Sequence, residues 1–279
     1  MTTRVIDAHV HIATLTSLKV PVSVWRGGFP GGDLPGLYGP DGRPQPDVFA
    51  RHLDAEGVDS VLVFSEYSPR VTGWQIVEDA IPFAKYDAYR FRLVANINPH
   101  IHHPLLAELR RQLDLGAIAL KLHPVHAGFA MDSAELYPVY AYCETEHVPV
   151  IVHAGTSTFP GARNRFASLD YLVDVVRDFP GCTFVLAHGG RGWSFDTAAF
   201  LALSYDNVWI DIAGLPPRRL PEYYARHNLP RLASRFIFGS DWPGAPGMAR
   251  NVAAVRDLGL TADVTSGILG RNAEQVFKI

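Results

Sequence analysis

The chain places two histidines one residue apart close to its start, in Asp7-Ala8-His9-Val10-His11. Alternate side chains of an extended strand share a face, so His9 and His11 point the same way. Two neutral imidazoles held side by side supply half of a site for a borderline-soft divalent ion. Taken alone, the pair is equally compatible with hydrogen-bonded core histidines, and the rest of the chain has to decide.

Further chemically selective residues recur where other strands are expected to end: Lys121 and His123, His153, His188, Asp211 and Asp241. If His9, His11 and His153 give nitrogen and Asp241 gives oxygen, the set leaves a position for water or substrate, the mark of a catalytic rather than a closed structural site. Such an ion lowers the pKa of a bound water toward neutrality or polarises a substrate oxygen. His188, in Ala187-His188-Gly189-Gly190, is the candidate base, with a further ligand or a core histidine as its competing readings. The glycines after it allow a substrate to approach the backbone closely. Asp241 doubles as a second proton-handling group.

Eight short β-type runs position these groups, at residues 4–10, 60–64, 92–97, 117–122, 148–152, 183–187, 207–212 and 236–238. Helical patterns lie between them, over 47–55, 74–90, 104–115, 195–205 and 249–258. Leu169, Leu172, Val173 and Val176 form one face of another helix behind a Ser168 cap. Asp132 and Glu135 have capping-box spacing before the preceding helix, where Pro138 limits the first turn. Strand alternating with helix predicts a parallel sheet of the α/β class, and eight such units predict a (β/α)8 TIM barrel, one domain over residues 1–279. Active-site groups gather at the carboxyl rim of such a barrel. Five of the twelve histidines fall there, an edge that scattered core histidines have no reason to choose. Regular alternation in the fourth strand turns Ala117, Ala119, Lys121 and His123 inward. The long Gly/Pro-rich stretch after strand one, residues 21–46, carries Trp25, Arg26, Phe29, Leu34 and Tyr38 and reads as an ordered functional loop.

With 48% hydrophobic and 19% charged residues among 279, the chain can bury a large core and lacks the composition of disorder. The net charge of −3 and the absence of a basic stripe argue against nucleic acid or an anionic membrane as partner. No apolar run is long enough to span a bilayer and no signal-peptide core precedes the first strand, so a cytoplasmic location is expected. Cys143 and Cys182 lack metal-type spacing and read as free, buried thiols.

Taken in order, Ile6-Asp7-Ala8-His9-Val10-His11, Lys121-Leu122-His123-Pro124, Val152-His153-Ala154-Gly155, Ala187-His188-Gly189-Gly190, Gly239-Ser240-Asp241-Trp242-Pro243 and the terminal Gly270-Arg271-Asn272-Ala273 resemble the amidohydrolase superfamily. The resemblance is to its amidohydrolase-related branch, which includes aminocarboxymuconate semialdehyde decarboxylase, and runs nearly end to end. It implies a distorted TIM barrel with one divalent ion, usually zinc and with manganese also admitted, held by His9, His11, His153 and Asp241. It also implies His188 as the acid/base histidine, and a homodimer. Other branches carry a carbamylated lysine bridging two metals, at the position that Lys121 would take. This branch is typically mononuclear, and there Lys121 would pair with Asp211, Asp7 or a substrate anion. His123 is then a substrate-facing residue, one standing behind the ligands, or a core histidine.

Members of the branch include hydrolases of lactones, amides and esters as well as non-oxidative decarboxylases of aromatic or muconic acids. This chain is shorter than those decarboxylases and lacks their alternative Glu-Glu-His opening, so the expectation is hydrolysis by metal-activated water, with decarboxylation as the alternative and a non-catalytic ligand-binding barrel behind both. Substrate contacts are expected from His123, Lys121, Trp25, Arg26, Ser65, Glu66, Tyr67, Arg163, Arg165, Arg191, Trp193 and Trp242. An arginine clamp would suit a small cyclic or aromatic carboxylate.

Overall fold

The structure is a computed structural model and describes residues 4–21, 34–244 and 247–279. Its main sheet consists of eight parallel strands: β1 (Ile6–Val10), β2 (Ser60–Phe64), β5 (Phe91–Asn96), β6 (Ala117–Leu122), β7 (Val150–Gly155), β8 (Phe184–Arg191), β9 (Val208–Asp211) and β10 (Phe236–Ile237), neighbours in that order. Backbone hydrogen bonds from Ala8 N to Phe238 O, Asp241 N to His9 O and His11 N to Trp242 O, at 2.9, 3.0 and 2.8 Å, bring the last strand back to the first. Helices lie between the strands, as the crossovers of a (β/α)8 barrel require.

Period-2 patterning sorts the strand residues into two cores. Leu62, Phe64, Val94, Ala119, Ile151, Val185, Trp209 and Ile237 fill the barrel, plugged at its base by Val276 and Phe277 of the last helix. Val61, Val63, Leu120, Val150, Val152, Leu186 and Ile210 face outward against the helices. Ala117 packs in this outer layer rather than inside. The expected inward row of four in β6 therefore begins only at Ala119, because the pairing of β5 with β6 slips between Leu93 and Val94.

Three local readings are corrected. The segment expected to be helical from residue 74 starts with a strand: β3 (Glu66–Ser68) and β4 (Gly73–Gln75) form an antiparallel hairpin, and the helix is Val77–Tyr86. Gly73 lies at φ 118°, and a β-carbon there would meet Ser17 O at 2.1 Å, so the hairpin can rest on residues 17–19 only with glycine. Second, the helix after β7 is Asp170–Asp178 with Leu169 at its N-cap. The Ser168 hydroxyl accepts from Asp170 N at 3.3 Å, one residue earlier than a cap would sit, and Val175 rather than Val173 is fully buried. Third, Asp132 and Glu135 are exposed and form no box, since a 3-10 turn, Ala134–Leu136, leads into the helix Tyr137–Thr145. Pro138 occupies its first turn, where no amide hydrogen is needed.

Trp25, Arg26 and Phe29 lie outside the described residues. Among the described residues no helix is long and apolar enough to cross a membrane. Both cysteines are buried and unpaired, and burial pushes the Cys143 thiol up to about 12.

Candidate metal and catalytic site

Regular strands deliver two of the site groups. Ile151 and Trp209 face the barrel interior, so His153 and Asp211, two residues further on, do as well. Two other strands must break their alternation. Ile6 and Ala8 face inward, but the pairing of β1 with β2 slips between Asp7 and Val10, so that Val10 joins the outer core and the His9 ring lies 4.4 Å from that of Phe64. In β8, Ala187 faces inward and His188 follows it there by adopting φ 69°. Asp241, beyond β10, stands at φ 62°. Only four described non-glycine residues have positive φ, and two of them are these candidate proton-handling groups. Each such conformation costs about 1–3 kcal/mol and persists where surrounding structure over-determines it, commonly at active sites.

The result is a compact donor cluster. His9 Nε2 and His11 Nε2 are 3.2 Å apart, and each is 3.6 Å from Asp241 Oδ1. His9 Nδ1 donates to Asp211 Oδ2 at 2.5 Å, which leaves its Nε2 lone pair for the cluster, and Ala213 N donates to Asp211 Oδ1 at 2.8 Å. His188 Nδ1 donates to Ala213 O at 2.8 Å, so its Nε2 is the acceptor of a 3.1 Å bond from His153 Nδ1. His153 Nε2 is then a buried lone pair with no partner among the described residues. His9, His11 and Asp241 gather around one point; His153 stands at a neighbouring position outside that group of three.

Electrostatics suit a cation. Burial holds His9, His11, His153 and His188 below the usual imidazole range; Lys121 assists at His9 and His153, and Arg191 at His188. Neutral imidazoles are the ligating form. Burial also pushes Lys121 down to about 8 against the pull of Asp211, Asp241 and Glu66. Its ammonium lies 4.8 Å over the Phe64 ring with no hydrogen-bond partner among the described residues, so the expected pairing with Asp211 or Asp7 is not formed. Three converging donors, an orphaned imidazole nitrogen and a carboxylate fixing the His9 tautomer fit a divalent ion.

A pocket of about 100 Å3 is lined by His11, Glu66, His123, His126, His153, Ser157, His188, Arg191 and Asp241. It adjoins a cavity of about 670 Å3 that shares Ser157, Arg191 and Asp241 and adds Arg218, Arg250 and Asn251. That is the size range of small-ligand sites. Arg191 Nη1 lies 3.9 Å from Asp241 Oδ2, which is also 3.9 Å from His188 Nδ1. Gly214, at φ 65°, leaves the space between them, where a β-carbon would come within 2.7 Å of Asp241 Oδ2.

Several expected substrate contacts are placed elsewhere. The Trp242 indole is buried against Phe49, ring centroids 4.7 Å apart, because its backbone joins β1 and turns the ring outward into the helical layer. The Tyr67 ring is buried against His102, and its hydroxyl accepts from Val77 N at 3.4 Å. Ser65 is buried and donates to Val94 O, and Trp193 is exposed. Arg163 and Arg165 line neither chamber. Sequence reasoning passed over His126, Ser157, Arg218 and Arg250. The His123-Pro124-Val125-His126 spacing, one helical turn opened by proline, was the available signal for His126.

Comparison with known proteins gives the family. No curated protein matches the chain. Among solved structures, an uncharacterised TIM-barrel protein from Bordetella bronchiseptica is similar with a TM-score of 0.78 at 21% identity, covering 99% of this chain and 98% of that one. A dihydroxybenzoic acid decarboxylase from a Polaromonas species, with bound manganese and the inhibitor 2-nitroresorcinol, aligns at a TM-score of 0.72 and 16% identity over 99% and 97%. A probable 2-pyrone-4,6-dicarboxylic acid hydrolase from Acinetobacter baumannii, with citric acid bound, aligns at 0.68 and 15% over 99% and 100%. These likenesses establish the barrel fold. The sequence model described as amidohydrolase matches residues 6–279, nearly the whole length, and the chain belongs to that family.

Proposed function

We propose that this protein is a metal-dependent hydrolase of a small cyclic or aromatic carboxylated substrate: a lactone, amide or ester. The observation that carries the reading is Asp241, whose Oδ1 faces the two imidazoles while Oδ2 faces His188 and Arg191 at the junction of the two chambers. His9, His11 and Asp241 would hold one divalent ion, zinc or manganese, with His153 Nε2 as the fourth donor. When bound, such an ion supplies Lewis acidity to a substrate oxygen and to a water.

The chain's own residues do the rest. Asp241 Oδ2 takes a proton from the attacking water and hands it to the leaving group, and His188, kept neutral by burial and Arg191, lies 3.9 Å from that oxygen as the second proton-handling group. Arg191 binds the substrate carboxylate, with Arg218 and Arg250 on the cavity wall as further cationic partners. Asp211 fixes the His9 tautomer and raises its basicity.

Decarboxylation is the second reading, favoured by the same arginines at the mouth and by the Polaromonas neighbour. Mass spectrometry of products, after incubation of the metal-loaded protein with lactones, amides and aromatic or muconic carboxylates, separates the two. Gain of one water is expected; loss of carbon dioxide would replace the hydrolase reading with the second.

A further inference from the structure

A second chain of polar side chains crosses the same rim and takes no part in the donor cluster. Glu66 Oε1 lies 2.7 Å from His126 Nδ1, and His126 Nε2 lies 2.8 Å from Ser157 Oγ. All three residues are buried, and Ser157, 7% exposed, lines both the inner pocket and the outer cavity. The hydrogens follow from the partners. The carboxylate can only accept, so His126 Nδ1 carries the proton and Nε2 holds a lone pair. Ser157 Oγ already accepts from Phe159 N at 3.3 Å, so its own proton is directed at His126 Nε2.

Both ends of the chain are fixed. Thr72 Oγ1 donates to Glu66 Oε1 at 2.7 Å, and Asn164 brackets the Ser157 backbone, accepting from Ser157 N at 2.8 Å and donating to Ser157 O at 3.0 Å. A hydroxyl, an imidazole within hydrogen-bond reach and a carboxylate orienting that imidazole are the parts of an activated serine.

Glu66, His123 and His126 also lie close enough together to suggest a cation site. Their hydrogen bonds oppose it. His123 Nδ1 accepts from His126 N at 3.3 Å, so the proton of neutral His123 sits on Nε2, its atom nearest Glu66 at 3.9 Å. Both His126 nitrogens are occupied.

We infer that Ser157 is a nucleophile for acyl transfer, with His126 as its base and Glu66 as the residue that positions His126. Ser157 Oγ attacks the carbonyl carbon of an ester or lactone, and its proton passes to His126 Nε2. The carbon–oxygen bond to the leaving group breaks, that oxygen takes the proton from His126, and an acyl ester remains on Ser157. Water then attacks the acyl carbon and gives a proton to His126; the bond from that carbon to Ser157 Oγ breaks, Oγ takes the proton back from His126, and the carboxylic acid leaves. This activity requires no metal and is separate from the hydrolysis proposed above.

The test is covalent labelling of the intact protein with a fluorophosphonate, in which Ser157 Oγ displaces fluoride from phosphorus, with and without a chelator. One adduct per chain on the peptide carrying Ser157 is expected at equal rates in both conditions. Ser157→Ala should abolish it, and His126→Gln should slow labelling by about 10²–10⁴-fold. Glu66→Gln should also slow it, with partial recovery in Glu66→Asp, which a purely structural role for Glu66 does not predict. No adduct on the wild-type protein, an adduct on another residue, or a metal ion found between Glu66 and His126 would overturn the proposal, and none of these outcomes requires a variant to fold.

Discussion

Two clusters of imidazole and carboxylate share one barrel rim and are built in opposite ways. Around His9, His11 and Asp241 the donor atoms converge with their lone pairs toward a common point, and the short hydrogen bond from His9 to Asp211 lies on the far side of the ring. Around Glu66 and His126 the hydrogen bonds run from one side chain to the next: Thr72 and His126 meet Glu66 Oε1, and Ser157 meets His126 Nε2. The first arrangement leaves its lone pairs open, the form in which the proposed cation would be held. The second joins its side chains to one another, and only Ser157 of the three reaches the outer cavity. In the two proposals above, the same residue types serve as a metal site or a proton path according to where their hydrogens are directed.

That contrast can be broken from either side, and the largest effect should come from the open cluster. Asp241→Asn should lower turnover by about 10²–10⁴-fold and reduce the metal content of the purified protein, while fluorophosphonate labelling of Ser157 continues. Full activity with unchanged metal by elemental analysis would remove Asp241 from both roles. Asp211→Asn touches no substrate, yet should weaken metal affinity by about 10–100-fold in a competition titration, because the Ala213 amide holds the one remaining oxygen and the His9 ring then faces an amino group instead of the acceptor that fixes its tautomer.

Acid should act next, on stability. His9, His11, His123, His153 and His188 are held below the usual imidazole value of 6.5 in the folded protein by burial above all. As pH falls below that value the unfolded chain binds protons that the folded chain refuses, so stability present above about 6.5 is lost on acidification. Each such group contributes a slope of about 1.4 kcal/mol per pH unit within its window. Urea midpoints measured from about pH 6.5 to about 5 should fall with pH, because five such imidazoles outweigh Asp7 and Asp211, whose carboxyls burial raises and which act in the opposite sense; a rise toward the acid end would contradict the neutral-imidazole picture. The smallest effect belongs to the closed cluster: Thr72→Val should cost about 1–3 kcal/mol in urea unfolding by leaving Glu66 one donor short, with metal content unchanged.

Much of this is legible in the sequence. The strand-ending pattern of residues with helical segments between them specified a parallel barrel, and six of the eight expected strand runs overlap observed strands by four residues or more, with three shared residues at β7 and two at the two-residue β10. The β3–β4 hairpin was not legible, because Gly73-Trp74-Gln75 carries no alternation and its glycine is required by contact with residues 17–19, far away in the chain. Tyr67 and Trp242 misled for a related reason: an aromatic beside a rim motif says nothing about which way its ring turns.

The sequence by itself determined that His9, His11, His153, His188 and Asp241 would meet at one edge, since strand ends in a parallel barrel have nowhere else to converge. It also determined the family. Which way those groups point was decided by tertiary structure. The slip in β1 re-aims His9 and His11, and left-handed backbone at His188 and Asp241 turns two more residues into the cleft. Such conformations exist only because surrounding strands hold them, so no local pattern announces them. The meeting of Glu66, His126 and Ser157, drawn from three different strand ends, is likewise a product of barrel closure, which sets side by side residues that are 60 and 31 positions apart.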